Sequence, residues 1–169
     1  MEDKGVVYTG YPSAEELAGC PGVPSGESMK KGPMAVIECV QCIPCNPCED
    51  ACVFGAIIVG DSITNLPRLD AEKCRGCGTC VAACPGQAIF LVDMTHGEDT
   101  AMVEFPFEYL PLPKKGDTVD AVNRAGEVVC KALVDAVLTN KSFTGTNLIK
   151  LIVPKKFANE VRSMKRLPR

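Results

Sequence analysis

Several residue types are scarce in this chain. It has 169 residues with no tryptophan, nine aromatic residues and one histidine, His96. A lone histidine beside a glycine is more often a surface-loop residue than a ligand or a catalytic base. Long apolar runs are also missing, because the longest, residues 51–60 and 81–92, are far shorter than the ~20 residues that a membrane-spanning helix needs. We therefore expect no membrane span and no aromatic-rich core.

Nucleotide-binding motifs are absent too. No GxGxxG run opens a βαβ unit, and no GxxxxGK[ST] run is present, so we expect the chain to bind neither a dinucleotide nor ATP. The net charge of −3 gives no general electrostatic reason to bind nucleic acid. Residues 155–169 do carry six basic residues and one acidic residue. Such a basic segment is more typical of a solvated chain end than of a docking patch.

Cysteine, in contrast, is abundant and regularly spaced. Eight of the eleven cysteines form two copies of one pattern, Cys42-x2-Cys45-x2-Cys48-x3-Cys52 and Cys74-x2-Cys77-x2-Cys80-x3-Cys84, the second followed by Pro85. Three cysteines at this spacing wrap around three corners of an iron–sulfur cubane, and in the paired arrangement the fourth cysteine of each run binds the other run's cluster. The spacing predicts two [4Fe-4S] clusters, held by Cys42, Cys45, Cys48 and Cys84 and by Cys74, Cys77, Cys80 and Cys52.

Some cysteines leave alternatives open. Cys39 is an alternative to Cys42, although Cys42 gives the standard spacing. Cys20 and Cys130 lie outside both runs and are expected to be small buried apolar residues. A disulfide framework fits poorly, because eleven is odd and residues 1–5 contain no apolar segment of a secretory signal. We expect a cytoplasmic protein with reduced thiols; a zinc site would not need eight thiols in two identical runs.

The chain divides into three predicted segments. Residues 1–38 form an extended arm that glycine and proline interrupt, with one short helix that begins at a Ser13–Glu16 capping box and ends by Gly19. We expect this arm to be ordered by packing on something larger, because its apolar side chains would be costly to leave in water.

The other two segments are richer in regular structure. Residues 39–93 hold the cysteine runs and an internal repeat, since residues 86–89 match residues 54–57. Short helices are predicted after Cys48 and Cys80, and strands at residues 56–59 and 62–64. Residues 100–169 form a β-rich, barrel-like module. It is predicted to contain an extended sheet-edge segment over residues 105–112, strands over residues 118–122, 128–137 and 147–153, and a terminal helix over residues 155–164. A helix over residues 128–138 is the alternative to the second of these strands, because its apolar residues do not alternate cleanly.

Residues 39–93 resemble the bacterial two-cluster ferredoxins. The resemblance rests on CNPCEDAC at residues 45–52, GAI at residues 55–57 and CRGCGTCVAACP at residues 74–85. The flanks are similar to the 4Fe-4S subunit found with flavin-dependent amino-acid dehydrogenases of the proline or hydroxyproline type in anaerobes. Those flanking matches are VYTGYP at residues 7–12, CPGVP at 20–24, AVIECVQ at 35–41, VP at 153–154 and EVRSM at 160–164.

The resemblance implies a ferredoxin-like two-cluster module. Together with the predicted β-rich module and its C-terminal helix, this gives an expected α+β fold. The resemblance also implies a subunit that relays single electrons between flavoprotein partners and has no catalysis of its own. Those partners would order the arm, and the first ligand of the opening run would be free to lie upstream, at Cys39. A free, diffusible ferredoxin is the alternative. A third hypothesis is an RNA-binding β-module that the clusters only stabilise. It is disfavoured because the aromatic residues of this module are not interleaved with basic ones.

Overall fold

The computed structural model describes residues 4–143 and 145–169, and strands dominate it. Its short helices are α1 (Val6–Thr9), α2 (Ala14–Ala18), α3 (Pro47–Asp50) and α4 (Thr79–Ala83). Its strands are β1 (Met34–Ile37), β2 (Ile57–Ile58), β3 (Arg68–Leu69), β4 (Ile89–Asp93), β5 (Thr100–Phe107), β6 (Thr118–Val122), β7 (Val128–Leu138), β8 (Asn147–Pro154) and β9 (Ser163–Met164). Single 3-10 turns occur at Ser28–Lys31, Lys141–Phe143 and Lys155–Phe157. This mixture is consistent with the predicted α+β class, and none of the described helices has the length and apolarity to cross a membrane.

Seven strands form one antiparallel sheet in the order β1-β4-β5-β8-β7-β6-β9, and β2 pairs with β3 in a second, small sheet. β4 follows the second cysteine run and pairs with β1 on one side and β5 on the other. The C-terminal strands β5 to β9 belong to the same sheet as β1 and β4. The strands predicted over residues 118–122, 128–137 and 147–153 are confirmed as β6, β7 and β8.

The sheet separates two hydrophobic cores, because successive side chains of a strand point to opposite faces. One face carries Val103, Phe105, Ile149 and Leu151, which we call the distal core. The other face carries the cysteine-side core, whose buried members include Ile37, Ile57, Cys48, Cys80, Leu91, Met102 and Leu148. The central strand β5 is buried on both faces and therefore contributes to both cores.

The N-terminal arm contains the predicted capping box, which follows the short helix α1. The Glu16 amide donates to Ser13 Oγ at 3.2 Å, and the Ser13 amide donates to the Glu16 carboxylate at 2.7 Å, so α2 starts and ends as predicted. Farther along, the arm packs on β1, where the Ile37 amide donates to the Gly22 carbonyl at 3.0 Å. The side chain of Tyr8 is left 67 % exposed near the start of the arm.

The predicted C-terminal helix over residues 155–164 is wrong. The chain makes only the 3-10 turn Lys155–Phe157 and then the strand β9, which pairs with β6. The physical reason is that β6 pairs with β7 on one side only, so its carbonyls on the other side need hydrogen-bond donors. The C-terminal segment supplies these donors. The Arg162 amide donates to the Val122 carbonyl at 2.9 Å, and the Lys165 amide donates to the Asp120 carbonyl at 2.8 Å.

Two smaller predictions also differ from the structure. Residues 62–64 form a turn rather than a strand, because the Asn65 amide donates back to the Ser62 carbonyl at 2.9 Å. The partner of β2 is instead β3. The extended segment expected over residues 105–112 ends as a strand at Phe107. Pro106, which has no amide to donate, falls beyond the stretch of β5 that pairs with β4 and faces only β8.

A buried ion-pair network joins the end of β1 to the C-terminal segment. Arg162 Nε donates to Glu38 Oε1 at 2.8 Å, and Arg124 Nε donates to Glu38 Oε2 at 2.7 Å. Arg162 Nη1 also donates to the carbonyls of Ala158 and Val161, at 3.0 and 2.6 Å. Burial lowers the pKa of Arg162, and the Glu38 carboxylate opposes that shift. One carboxylate therefore holds two guanidinium groups that lie far apart in the sequence.

We expect Glu38→Gln to destabilise the fold by about 3–5 kcal/mol, because it leaves two partly or fully buried guanidinium groups without their shared counter-charge. The measurement is the free energy of unfolding in urea. Glu27→Gln is the matched control, since Glu27 pairs with Lys30 on the surface, where both side chains are more than two-thirds exposed. Equal effects of the two substitutions would show that the Glu38 network contributes no more than a surface pair.

Candidate iron–sulfur site

Four cysteines from distant parts of the chain line one cavity beneath the end of β1. They are Cys39, Cys45, Cys48 and Cys84, and Ile37 and Ile89 form part of the apolar wall. Cys45 is held by a hydrogen bond from its amide to the Ile63 carbonyl at 2.9 Å. Cys42 is exposed and does not line this cavity.

A second group of four cysteines lines another cavity on the same side of the sheet. Its members are Cys52, Cys74, Cys77 and Cys80, with Ala35, Ile57 and Leu91 at its base. The fourth cysteine of each run thus stands with the first cysteines of the other run. Helices α3 and α4 contact each other and bring the fourth cysteine of each run to the other run's cavity. Each helix starts within one run and ends beside the cavity of the other.

The internal repeat is visible in the hydrogen bonds to sulfur. The Ala56 amide donates to Cys52 Sγ at 3.2 Å, and the Ala88 amide donates to Cys84 Sγ at 3.4 Å. The residue before each of these alanines has a left-handed backbone, with φ of 60° at Gly55 and 52° at Gln87. Such amide–sulfur bonds stabilise negative charge on sulfur and help to set the potential of a bound cluster.

The chemistry of the donors suits a cluster rather than a single ion. Within residues 4–143 and 145–169, no three His, Cys, Asp or Glu side chains are grouped so that they could hold a metal ion. The thiols instead surround two cavities, as they must if several iron and sulfide atoms are to fit between them. Burial, followed by the neighbouring thiols, raises the pKa of Cys48 to about 11 and that of Cys80 to about 12. These thiols thus become thiolates more readily when a cationic group is bound.

Cys20, Cys130 and His96, which lie outside the two cysteine runs, do not line either of the two cavities. Cys20 is buried, as predicted, and its thiol donates to the Ile37 carbonyl at 3.2 Å. Cys130 is only half-buried in β7, and His96 is exposed. Arg75 lines the second cavity, whereas the Lys73 ammonium pairs with Asp70 at 3.3 Å.

Sequence reasoning missed Glu104, which is 1 % exposed in the centre of β5. The Lys150 ammonium lies 3.0 Å from its Oε2 atom. Burial raises the pKa of Glu104, and Lys150 opposes that shift. A charged residue in the middle of an otherwise apolar strand, residues 101–107, was the signal that could have revealed it.

Comparisons with known proteins agree with this chemistry. Residues 67–90, which include the second cysteine run, match the family model of the 4Fe-4S binding domain. A segment of 41 residues is 49% identical to one component of the Na(+)-translocating ferredoxin:NAD(+) oxidoreductase complex of Acetobacterium woodii. That match covers 24% of this chain and only 12% of the relative. No solved structure matches the chain.

The class of protein follows from the site and the family match together. Residues 67–90 match a 4Fe-4S binding domain, and iron–sulfur electron transfer is the function that this match supports.

A matched pair of glycines tests how tightly the second site is built. Gly76 and Gly55 have nearly the same φ, 61° and 60°, but a Cβ on Gly76 would lie 2.6 Å from the Pro33 carbonyl oxygen, whereas nothing lies near Gly55. We expect Gly55→Ala to cost about 1–2 kcal/mol, the cost of a left-handed backbone. Gly76→Ala is expected to cost clearly more and to lower iron content, as measured by unfolding and iron analysis. Equal costs would contradict the close approach of Pro33.

Proposed function

We propose that this chain is an electron-transfer subunit of a flavin-dependent amino-acid or amine dehydrogenase complex, relaying single electrons between flavin centres through two [4Fe-4S] clusters. The observation that carries the proposal is the presence of two four-cysteine groups, six of whose eight side chains pack in one hydrophobic core, linked by the contacting helices α3 and α4. Two relay centres held in one rigid core can pass an electron in sequence, whereas one centre on a loop cannot. The division into arm, two-cluster module and β-rich module is part of the same proposal.

We base the two proposed ligand sets on the residues that line the two cavities. Cys39, Cys45, Cys48 and Cys84 would hold the first cluster, so Cys39 rather than Cys42 is its opening ligand. Cys52, Cys74, Cys77 and Cys80 would hold the second. Support for Cys39 comes from its place in the cavity wall, the exposure of Cys42 and the anchoring of the preceding residue, Glu38, by two guanidinium groups.

When bound, a fully cysteine-ligated cluster accepts and releases one electron without an open position for substrate. The protein's own groups supply the rest. Amides of Ala56 and Ala88 donate to ligand sulfurs, while the apolar side chains Ile37, Ile57 and Leu91 limit the access of water to the cavities. Such an arrangement favours electron transfer over substrate chemistry, so the substrate would be oxidised on a partner chain.

Partner docking is supported by two independent features. The curated relative belongs, by its name, to a multi-subunit oxidoreductase complex. In addition, the arm and the loop of the first cysteine run expose the large apolar side chains Val7, Tyr8 and Ile43, at 78%, 67% and 49% of their full area. Apolar groups exposed beside a redox site are suited to contact with another protein. Flavoprotein subunits are the partners that the proposed reaction requires.

Cys39 and Cys42 form a matched pair for testing the ligand assignment. We expect Cys39→Ser to lower the iron content of the anaerobically purified chain from about eight to about four atoms, because only one cubane would assemble. Cys42→Ser is expected to keep about eight iron atoms. The measurement is the content of iron and acid-labile sulfide per chain. The visible absorption from sulfur-to-iron charge transfer is a second readout. If Cys42→Ser loses iron while Cys39→Ser keeps about eight iron atoms per chain, Cys42 is the ligand instead.

The function itself is tested by anaerobic purification of the tagged chain from its native host. Flavin-bearing subunits that co-elute in fixed ratio are the expected result, and Cys77→Ser in that complex should stop electron flow to the distal acceptor while substrate still reduces the first flavin. Unimpaired flow in Cys77→Ser would overturn the relay. A flavin-free monomer with the same iron content would instead identify a diffusible ferredoxin.

A further inference from the structure

Glu104 is a buried carboxylate that the proposed relay does not yet use. It lies on the cysteine side of the sheet, directly opposite Leu91 of β4 and Lys150 of β8. Lys150 satisfies one carboxylate oxygen, at 3.0 Å, but Oε1 is buried and has no hydrogen-bond partner among the described residues. An unpaired buried oxygen of this kind is costly and indicates a local role.

The other side of Glu104 faces the second cysteine run. A Cβ placed on Gly78 would collide with Oε1 of Glu104, and Gly78 has a left-handed backbone with φ of 78°. Gly78 lies between Cys77 and Cys80, two of the four cysteines that line the second cavity. The carboxylate therefore lies against the backbone of that loop, and glycine is the residue that leaves it room.

We propose that Glu104 lowers the reduction potential of the cluster that Cys52, Cys74, Cys77 and Cys80 would hold. The inference rests on the proposed function, because it requires that cluster. Adding an electron makes a cluster more negative, and a nearby buried carboxylate opposes that change more strongly than a solvated one. Lys150 compensates the carboxylate only in part, since its own side chain is 27% exposed and screened by water. Among the described residues, neither Glu104 nor Gly78 lines the cavity of the first cysteine group.

The test is a potentiometric titration of the loaded chain, followed by electron paramagnetic resonance so that both centres are observed. Glu104→Gln keeps the shape of the side chain and removes its charge. We expect it to raise one midpoint potential, with about a tenfold change in the reduced-to-oxidised ratio at a fixed potential, or about 59 mV for a one-electron couple. Cys77→Ser identifies the affected centre, because it alters or removes the signal of the second cluster.

Glu108→Gln is the matched control, since Glu108 follows the same strand but is exposed. It is expected to leave both potentials unchanged. Lys150→Gln provides a second variant if Glu104→Gln fails to assemble, and should move the same midpoint downward. Unchanged midpoints in Glu104→Gln, equal shifts in both centres, or a shift in the centre that Cys77→Ser spares would overturn the inference. Wild-type protein without iron and sulfide would instead overturn the proposed function, so the two failures are distinguishable.

Discussion

The exchange of one cysteine between the two runs is the constraint on which the structure depends. Cys52 lies with the second run and Cys84 with the first, so neither cavity is complete until α3 and α4 pack against each other. Both helices are too short to be stable alone. Their packing on β1, β4 and β5 through the cysteine-side core must supply the order that they lack. Binding of the proposed clusters would therefore be coupled to folding on this face of the sheet.

The distal core gives that face a rigid support that contains none of the run cysteines. Strands β5 and β8 pair over eight residues, and side chains such as Phe105 and Ile149 are fully buried between them and the rest of the sheet. The same strands present Met102 and Leu148 to the cysteine side. Under the proposed function, such a platform would hold the cysteine loops in place and so limit the reorganisation that electron transfer requires.

Sequence reasoning succeeded where the signal is local. The Ser13–Glu16 capping box, the strands β6 to β8 and the short helices after Cys48 and Cys80 all follow from spacing and propensity over a few residues. It failed where tertiary pairing decides the outcome. Residues 155–164 have a helical apolar pattern, but the segment ends in strand β9, which pairs with the edge of β6. The choice between Cys39 and Cys42 was open for the same reason, since spacing alone does not reveal which thiol faces the cavity.

The two cysteine groups repeat in their loops but differ in their surroundings, and this difference bears on the direction of electron flow. Beside the first group, Glu38 is shared by Arg124 and Arg162, which leaves one excess positive charge. Below the second group, Glu104 faces Lys150, and the oxygen nearest the cysteine loop has no partner among the described residues. Positive charge favours the reduced state of a nearby cluster, and negative charge disfavours it. Under the proposed function, Glu104 would make the second cluster harder to reduce, whereas Arg75, which lines the same cavity, would act in the opposite direction. The balance of these two charges against the Glu38 network would therefore set which cluster is reduced first.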